Sequence, residues 1–185
     1  MIENVLFLGE IMVLTFLLRR KMMLRVRATF IKCAILQYIT SCGMEKKNLI
    51  VSEQIRSACP DFVGGALYAE FTNSEYSEEL WNEIRVKAGE LKMRQTVDTI
   101  KHISGIEATR RVYKACGKDP SRYRPSNEQL VRRILQGKEL WTVNTAVDIG
   151  NLVSIDYGYS VGCFDYDKIQ GNDIVLGVGR AGEPY

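Results

Sequence analysis

Four segments with helical periodicity occupy the middle of the chain, and short apolar runs lie on both sides of them. In the clearest segment, Val131, Ile134 and Leu135 recur at the spacing of one buried helical stripe. The predicted helices are 77–91, 106–116, 126–136 and 146–157, and the predicted strands are 49–51, 66–71, 160–164 and 174–178. Helices grouped between strands predict an α+β fold with a mixed sheet.

Composition excludes several classes of protein. The chain has 185 residues, of which 46% are hydrophobic and 25% charged, so it is neither collagen-like nor disordered nor a coiled coil. Five cysteines without a CxxC pair and one histidine argue against a zinc site, and the odd cysteine count argues against a disulfide framework. No metal or other cofactor is therefore expected.

Residues 1–43 differ from the rest of the chain. An apolar run that includes Ile11 to Leu18 ends at Arg19-Arg20-Lys21, and it is too short to span a bilayer. Three alternatives stay open: an amphipathic helix that contacts a membrane surface, a packing helix, or an upstream extension that is not part of the working protein. The favoured alternative is the extension.

Residues 44–185 are predicted to form one domain. Met44-Glu45-Lys46-Lys47 is typical of an ordinary N-terminus. The chain closes on a strand followed by Gly182-Glu183-Pro184-Tyr185, a turn signal. This ending indicates that partner strands are missing, so we expect the domain to be truncated at its C-terminus.

Positive charge is concentrated in residues 110–138. This segment holds nine basic residues against Asp119 and Glu128, which is typical of a phosphate-contacting surface. The alternative is a solvated helix face that the following acidic segment neutralises. Within it, Ser126 and Gln129 have the spacing of a capping box, and Arg132 and Arg133 fall off the buried stripe.

Several ordered motifs in residues 122–185 resemble one known domain. They are R-Y-R-P-S-x-E-x-L-x-R-R from Arg122, V-D-I-x-N-x-V-S from Val147, G-x-x-x-G-x-F-D-x-D-K-I-x-G from Gly158, and the final G-E-P-Y. Together they resemble the B-three/B-four domain of the phenylalanyl-tRNA synthetase beta subunit, and more closely its free-standing relatives. The resemblance extends over 49–185 and implies binding of tRNA, with hydrolysis of mischarged tyrosine in the full-length enzymes.

The resemblance also implies site residues. Asn151 stands where the family has a pocket asparagine, Gly150 where it has a threonine, and Gly162 where it has a histidine. Because polar groups for hydrolysis are missing at two of these positions, binding is the safer inference.

Tyr123 is predicted to stack on a base, and the arginines around it are predicted to contact phosphates. The predicted substrate-binding or RNA-binding residues are Tyr123, Arg124, Arg132, Arg133, Gly150, Asn151 and Gly162. The alternative for the arginines is ion pairing with Asp148, Asp165 or Asp167. His102 is expected to be exposed or to cap a helix. Cys163 is expected to pack in the core, and for Trp81 and Trp141 core packing is favoured over a contact role.

Three functions follow in order of preference. The first is a cytoplasmic module that binds tRNA or aminoacyl-tRNA, and the second is a trans-acting hydrolase of mischarged aminoacyl-tRNA. The third is a pocket for an amino acid or peptide without RNA. Ligase activity is not expected, because the chain has no room for an ATP-handling catalytic domain.

Overall fold

The computed structural model describes residues 14–20, 39–40 and 47–183. The predictions for the remaining parts of residues 1–43, for the start at Met44 and for the last two residues lie outside this range.

Within the described residues, six strands form two small sheets. The strands are β1 (Leu14–Arg20), β2 (Ile39–Thr40), β3 (Asn48–Val51), β4 (Gly65–Phe71), β5 (Val161–Asp165) and β6 (Asp173–Leu176). One sheet has the order β2-β4-β1-β5, and the other pairs β3 with β6. All four pairings in the described part of the chain are parallel, so the expectation of a mixed sheet is wrong. The physical reason is that parallel strands need long crossovers, and the central helices provide the one between β4 and β5, which lie on either side of β1.

The described part of the apolar segment near the N-terminus, residues 14–20, forms a strand. Leu14–Arg20 pairs with β4 on one side and with β5 on the other. The two helical alternatives for this segment therefore do not hold over residues 14–20. A continuous apolar run is as typical of a central parallel strand as of a helix, and periodicity does not separate them.

Five α-helices lie within residues 47–183, and their grouping confirms the α+β class. They are α1 (Glu53–Ala58), α2 (Glu78–Arg94), α3 (Ser104–Ala115), α4 (Ser126–Leu135) and α5 (Thr145–Tyr157). Helix α1 was not predicted, because six residues give too few turns for a period to be seen. The C-terminal strand β6 pairs with β3 from the opposite end of the domain, a partner that sequence reasoning did not supply.

Helix α4 begins differently from the prediction. Its N-cap is Pro125, which has φ −57° and ψ 149° and has no side-chain cap. The backbone N–H of Gln129 donates to the Pro125 carbonyl over 3.0 Å. Ser126 is thus the first helical residue, and the predicted capping box is wrong because the helix starts one position earlier than the box requires.

Helices α2, α4 and α5 share one apolar cluster. Trp81 and Ile84 of α2 pack with Ile134 of α4 and Ile155 of α5. A neighbouring cluster joins Ile106 of α3 to Val131 of α4. Helix α4 is therefore fixed relative to α2, α3 and α5.

Two glycines allow the start of α3 to touch the end of α5. A Cβ on Gly105 would lie 2.3 Å from the carbonyl oxygen of Gly158. Gly158 itself ends α5 with φ +73°, a conformation that favours glycine. The side chain of Asn127 in α4 donates to the same carbonyl over 2.7 Å, so three helices meet at this point.

We expect Gly105→Ala to lower the free energy of unfolding by about 2–3 kcal/mol, because the new methyl group meets backbone atoms that cannot move independently. Gly89→Ala is the matched control, since Gly89 lies inside α2 with no atom within 4 Å of its Cβ position. The control should gain about 0.5–1 kcal/mol from helix propensity. Urea unfolding followed by circular dichroism measures both. Equal stabilities would contradict the close contact.

Candidate nucleic-acid interface

A buried carboxylate fixes two of the arginines in the basic segment. Glu128 of α4 is 1% exposed. Its Oε2 accepts from Arg110 of α3 over 2.8 Å, and its Oε1 accepts from Arg132 over 3.1 Å. The ion pairs lie largely out of water, so this carboxylate ties α3 to α4.

The Arg132 guanidinium is therefore not free in solvent, although its position off the buried stripe predicted that it would be. Its guanidinium is paired with Glu128, whereas the sequence offered Asp148, Asp165 or Asp167 as possible partners. Glu128 and Arg132 are separated by four positions, which places them on the same helix face. The four-residue spacing of Glu128 and Arg132 was visible in the sequence. The burial of Glu128 was visible only in the folded structure, where α4 packs against α3.

The neighbouring Arg133 has a different environment. Its guanidinium carbon lies 3.6 Å from the centroid of the Trp141 ring, and its Nε donates to the Glu139 carbonyl. Trp141 is 67% exposed, so the expectation that Trp141 packs in the core is wrong. Arg133 and Trp141 form a flat cation–aromatic pair at the surface.

The loop before α4 carries the second cation–aromatic group. Residues 121–124 are all exposed. The Tyr123 ring has the Arg122 guanidinium carbon at 5.3 Å and the Lys118 Nζ at 5.5 Å from its centroid. Lys118 also donates to the Gly179 carbonyl over 2.7 Å. Among the described residues, no ion pair engages Arg122 or Arg124, so both charges face water.

Helix α5 is attached to α2 through a buried aspartate. Asp148 is 0% exposed, and its Oδ2 accepts from the Trp81 indole N–H over 2.8 Å. Its Oδ1 accepts from the backbone N–H of Val143 over 3.4 Å. Asp148 is thus structural, and Trp81 packs in the core as expected.

The three positions taken from the resemblance lie on α5 and β5. A Cβ on Gly150 would lie 2.9 Å from the Cys163 sulfur, so Gly150 allows the helix to pack closely on the strand. Gly162 lies in β5, where it pairs with Thr15 of β1. Asn151 is half-buried, and within residues 47–183 its side chain makes no hydrogen bond.

Cys163 lies at the contact between α5 and β5. Its thiol donates to the Ala146 carbonyl over 3.6 Å, and burial raises the pKa of Cys163 from 9.0 to about 11. This thiol is therefore a neutral packing group at neutral pH, as the sequence indicated.

Two other polar residues, His102 and Lys168, lie exposed at the surface. His102, the only histidine of the chain, is exposed on a short 3₁₀ turn. Lys168 pairs with Asp165 over 3.7 Å at the surface, and the Asp165 side chain accepts from the backbone N–H of Asp167, which is typical of a turn former.

An open groove of about 400 Å³ runs between α2 and the segment after α4. Its floor is apolar and includes Trp81 and Leu140, and its rim carries Arg85, Lys92 and Lys138. Arg85 is already paired with Glu78. Lys92 and Lys138 form no ion pair in the described part of the chain.

Neither a metal-binding cluster nor a membrane-spanning helix is present among the described residues. No group of three or more histidine, cysteine or acidic side chains is arranged to hold a metal ion. No helix there is both long and apolar enough to cross a membrane.

The family comparison agrees with the motifs. Residues 108–185 match the family model of the B3/4 domain, the domain found in the phenylalanyl-tRNA synthetase beta subunit. The resemblance is thereby confirmed over this segment, which includes α4, α5, β5 and β6. Comparison with curated proteins and with solved structures gave no significant match.

We expect Arg132→Met to lower the free energy of unfolding by about 1–3 kcal/mol, because it removes one partner from the buried Glu128. Arg133→Met makes the same change of charge one position along and should cost less than about 1 kcal/mol. Chemical denaturation of both variants measures the difference. A loss from Arg133→Met as large as that from Arg132→Met would contradict the assignment.

Cys163 should resist alkylation. With the pKa of its thiol raised from 9.0 to about 11, the thiolate fraction at pH 8 falls about 100-fold, and the reaction rate falls with it. Iodoacetamide treatment and peptide mass spectrometry in the native state and in urea provide the measurement. Labelling of Cys163 at the same rate in both states would show that the thiol is not buried.

Proposed function

We propose that this chain is an RNA-binding module whose ligand is tRNA or aminoacyl-tRNA. The observation that carries the proposal is the exposed Arg122-Tyr123-Arg124 loop, which lies inside the segment matched to the B3/4 domain. Such a module would act in the cytoplasm, where translation takes place.

The chemistry of the loop supports this ligand. Arg122 and Arg124 offer guanidinium groups without a carboxylate partner in the described structure, and phosphates are their natural acceptors. Tyr123 is 48% exposed and has cations beside its ring, an arrangement suited to an unstacked base.

The buried ion pairs of Glu128 support the proposal of RNA binding in a second way. Because Glu128 pairs with Arg110 and Arg132, these two cations are committed to the fold. The remaining cations of residues 110–138 still greatly outnumber the acidic residues there. The net positive charge of this segment is thus available to a polyanion.

We expect the double variant Arg122→Gln/Arg124→Gln to weaken tRNA binding and to reduce the slope of log K against log salt by about 2, since each lost phosphate contact removes about one counterion. Fluorescence anisotropy of labelled tRNA at several salt concentrations measures both quantities.

The matched control is Arg94→Gln/Lys101→Gln, which removes the same charge from exposed positions outside residues 110–138. This control should keep most of the slope. A wild-type chain whose affinity for tRNA does not depend on salt, or equal effects from the two double variants, would refute the proposed interface.

Hydrolysis of mischarged aminoacyl-tRNA is the second candidate. The half-buried Asn151 amide favours it, because this group has no hydrogen-bond partner among residues 47–183 and is free to orient an ester or a water. Incubation with tyrosine-charged tRNA specific for phenylalanine should then release tyrosine, and Asn151→Ala should abolish the release. Absence of turnover on any mischarged tRNA would eliminate this candidate and leave binding untouched.

A further inference from the structure

We infer that Trp141, Arg133 and Lys138 form a second contact site, which holds an unpaired nucleotide of the RNA at the C-terminal end of α4. This inference rests on the proposed function and specifies its ligand as single-stranded RNA, such as a free end or a loop. The site is separate from the Arg122-Tyr123-Arg124 loop, which precedes α4.

The exposure of Trp141 follows from the way its segment is anchored. Leu140 packs in the cluster shared by α2, α4 and α5, and the backbone N–H of Val143 donates to the buried Asp148. Between these anchors the chain forms neither helix nor strand, and Trp141, Thr142 and Val143 are all exposed. Trp141 is therefore directed away from the core, at 67% exposure.

Arg133 prepares the indole for a stacked ligand. Its guanidinium covers one face of the ring at 3.6 Å, and the bond from its Nε to the Glu139 carbonyl restricts its rotation. An aromatic ring held in this way offers its remaining surface to a base at little entropic cost.

Lys138 supplies a cation for the adjacent phosphate. It is exposed, it lies between Arg133 and Trp141 in sequence, and no acidic side chain in the described structure pairs with it. A ring for the base and a neighbouring cation for the phosphate are the two elements of nonspecific single-strand recognition. Duplex RNA does not fit this site, because its bases are stacked on each other.

The two cation–aromatic groups flank the same helix. Tyr123 lies just before α4 and Trp141 lies a few residues after it. The ten residues of α4 correspond to about 15 Å, which one short single strand can span. Simultaneous use of both groups would increase affinity through effective concentration.

The test uses the full chain and a short single-stranded RNA oligonucleotide, with a blunt duplex of the same sequence as the comparison. Trp141→Leu keeps an apolar side chain but removes the ring, and should weaken single-strand binding by about 5- to 100-fold. Trp141→Phe keeps an aromatic face and should retain most of the affinity. Binding of the duplex should change little in either variant.

Tryptophan fluorescence gives an independent readout. The chain has two tryptophans, and Trp81 is buried at 9% exposure. Stacking of a base should therefore quench the fluorescence of Trp141, and Trp141→Phe should lose the quenching while it still binds. Thermal melting of each variant checks that the fold is retained, as the exposure of Trp141 predicts.

The outcomes separate this inference from the proposed function. Salt-dependent tRNA binding that is unchanged in Trp141→Leu and causes no quenching would overturn the second site and leave the Arg122-Tyr123-Arg124 loop standing. Absence of RNA binding by the wild-type chain would overturn both. Binding of an acidic peptide that is stronger than binding of the oligonucleotide would also overturn the inference, because the site would then recognise charge without bases.

Discussion

The buried carboxylate of Glu128 determines how the rest of the basic face is organised. A charge that is 1% exposed must be paired, and Arg110 and Arg132 satisfy it from two helices. These pairs fix α3 against α4 and withdraw two cations from the surface. Among the cations that remain, Arg122 and Arg124 lie just before α4, and Arg133 and Lys138 lie at its C-terminal end.

Asp148 has the corresponding role on the other side of the domain. Its two oxygens join α2, through the indole of Trp81, to the segment that carries Trp141. Asp148 thus holds Trp81 inside the core and anchors the segment that carries the exposed Trp141. The candidate stacking surface is in this sense a product of core packing.

Elements with a long regular period were predictable from sequence, and contacts between elements were not. Helices α2 to α5 carry enough turns for their apolar stripe to be recognised. The run at 14–20 was ambiguous because a central parallel strand is apolar on both faces. In the candidate site, Asn151 and Tyr123 were predicted from motifs. The partner of Arg132 and the exposure of Trp141 were predicted wrongly.

The sequence by itself determined the α+β class, helices α2 to α5, strands β3 to β6, the concentration of positive charge in residues 110–138 and the resemblance to the B3/4 domain. These properties depend on composition and on neighbours within a few positions. Only the tertiary structure decided which arginines are free, which tryptophan is exposed and which strands pair. Such choices depend on burial, and burial is set by residues that are distant in sequence and adjacent only after folding.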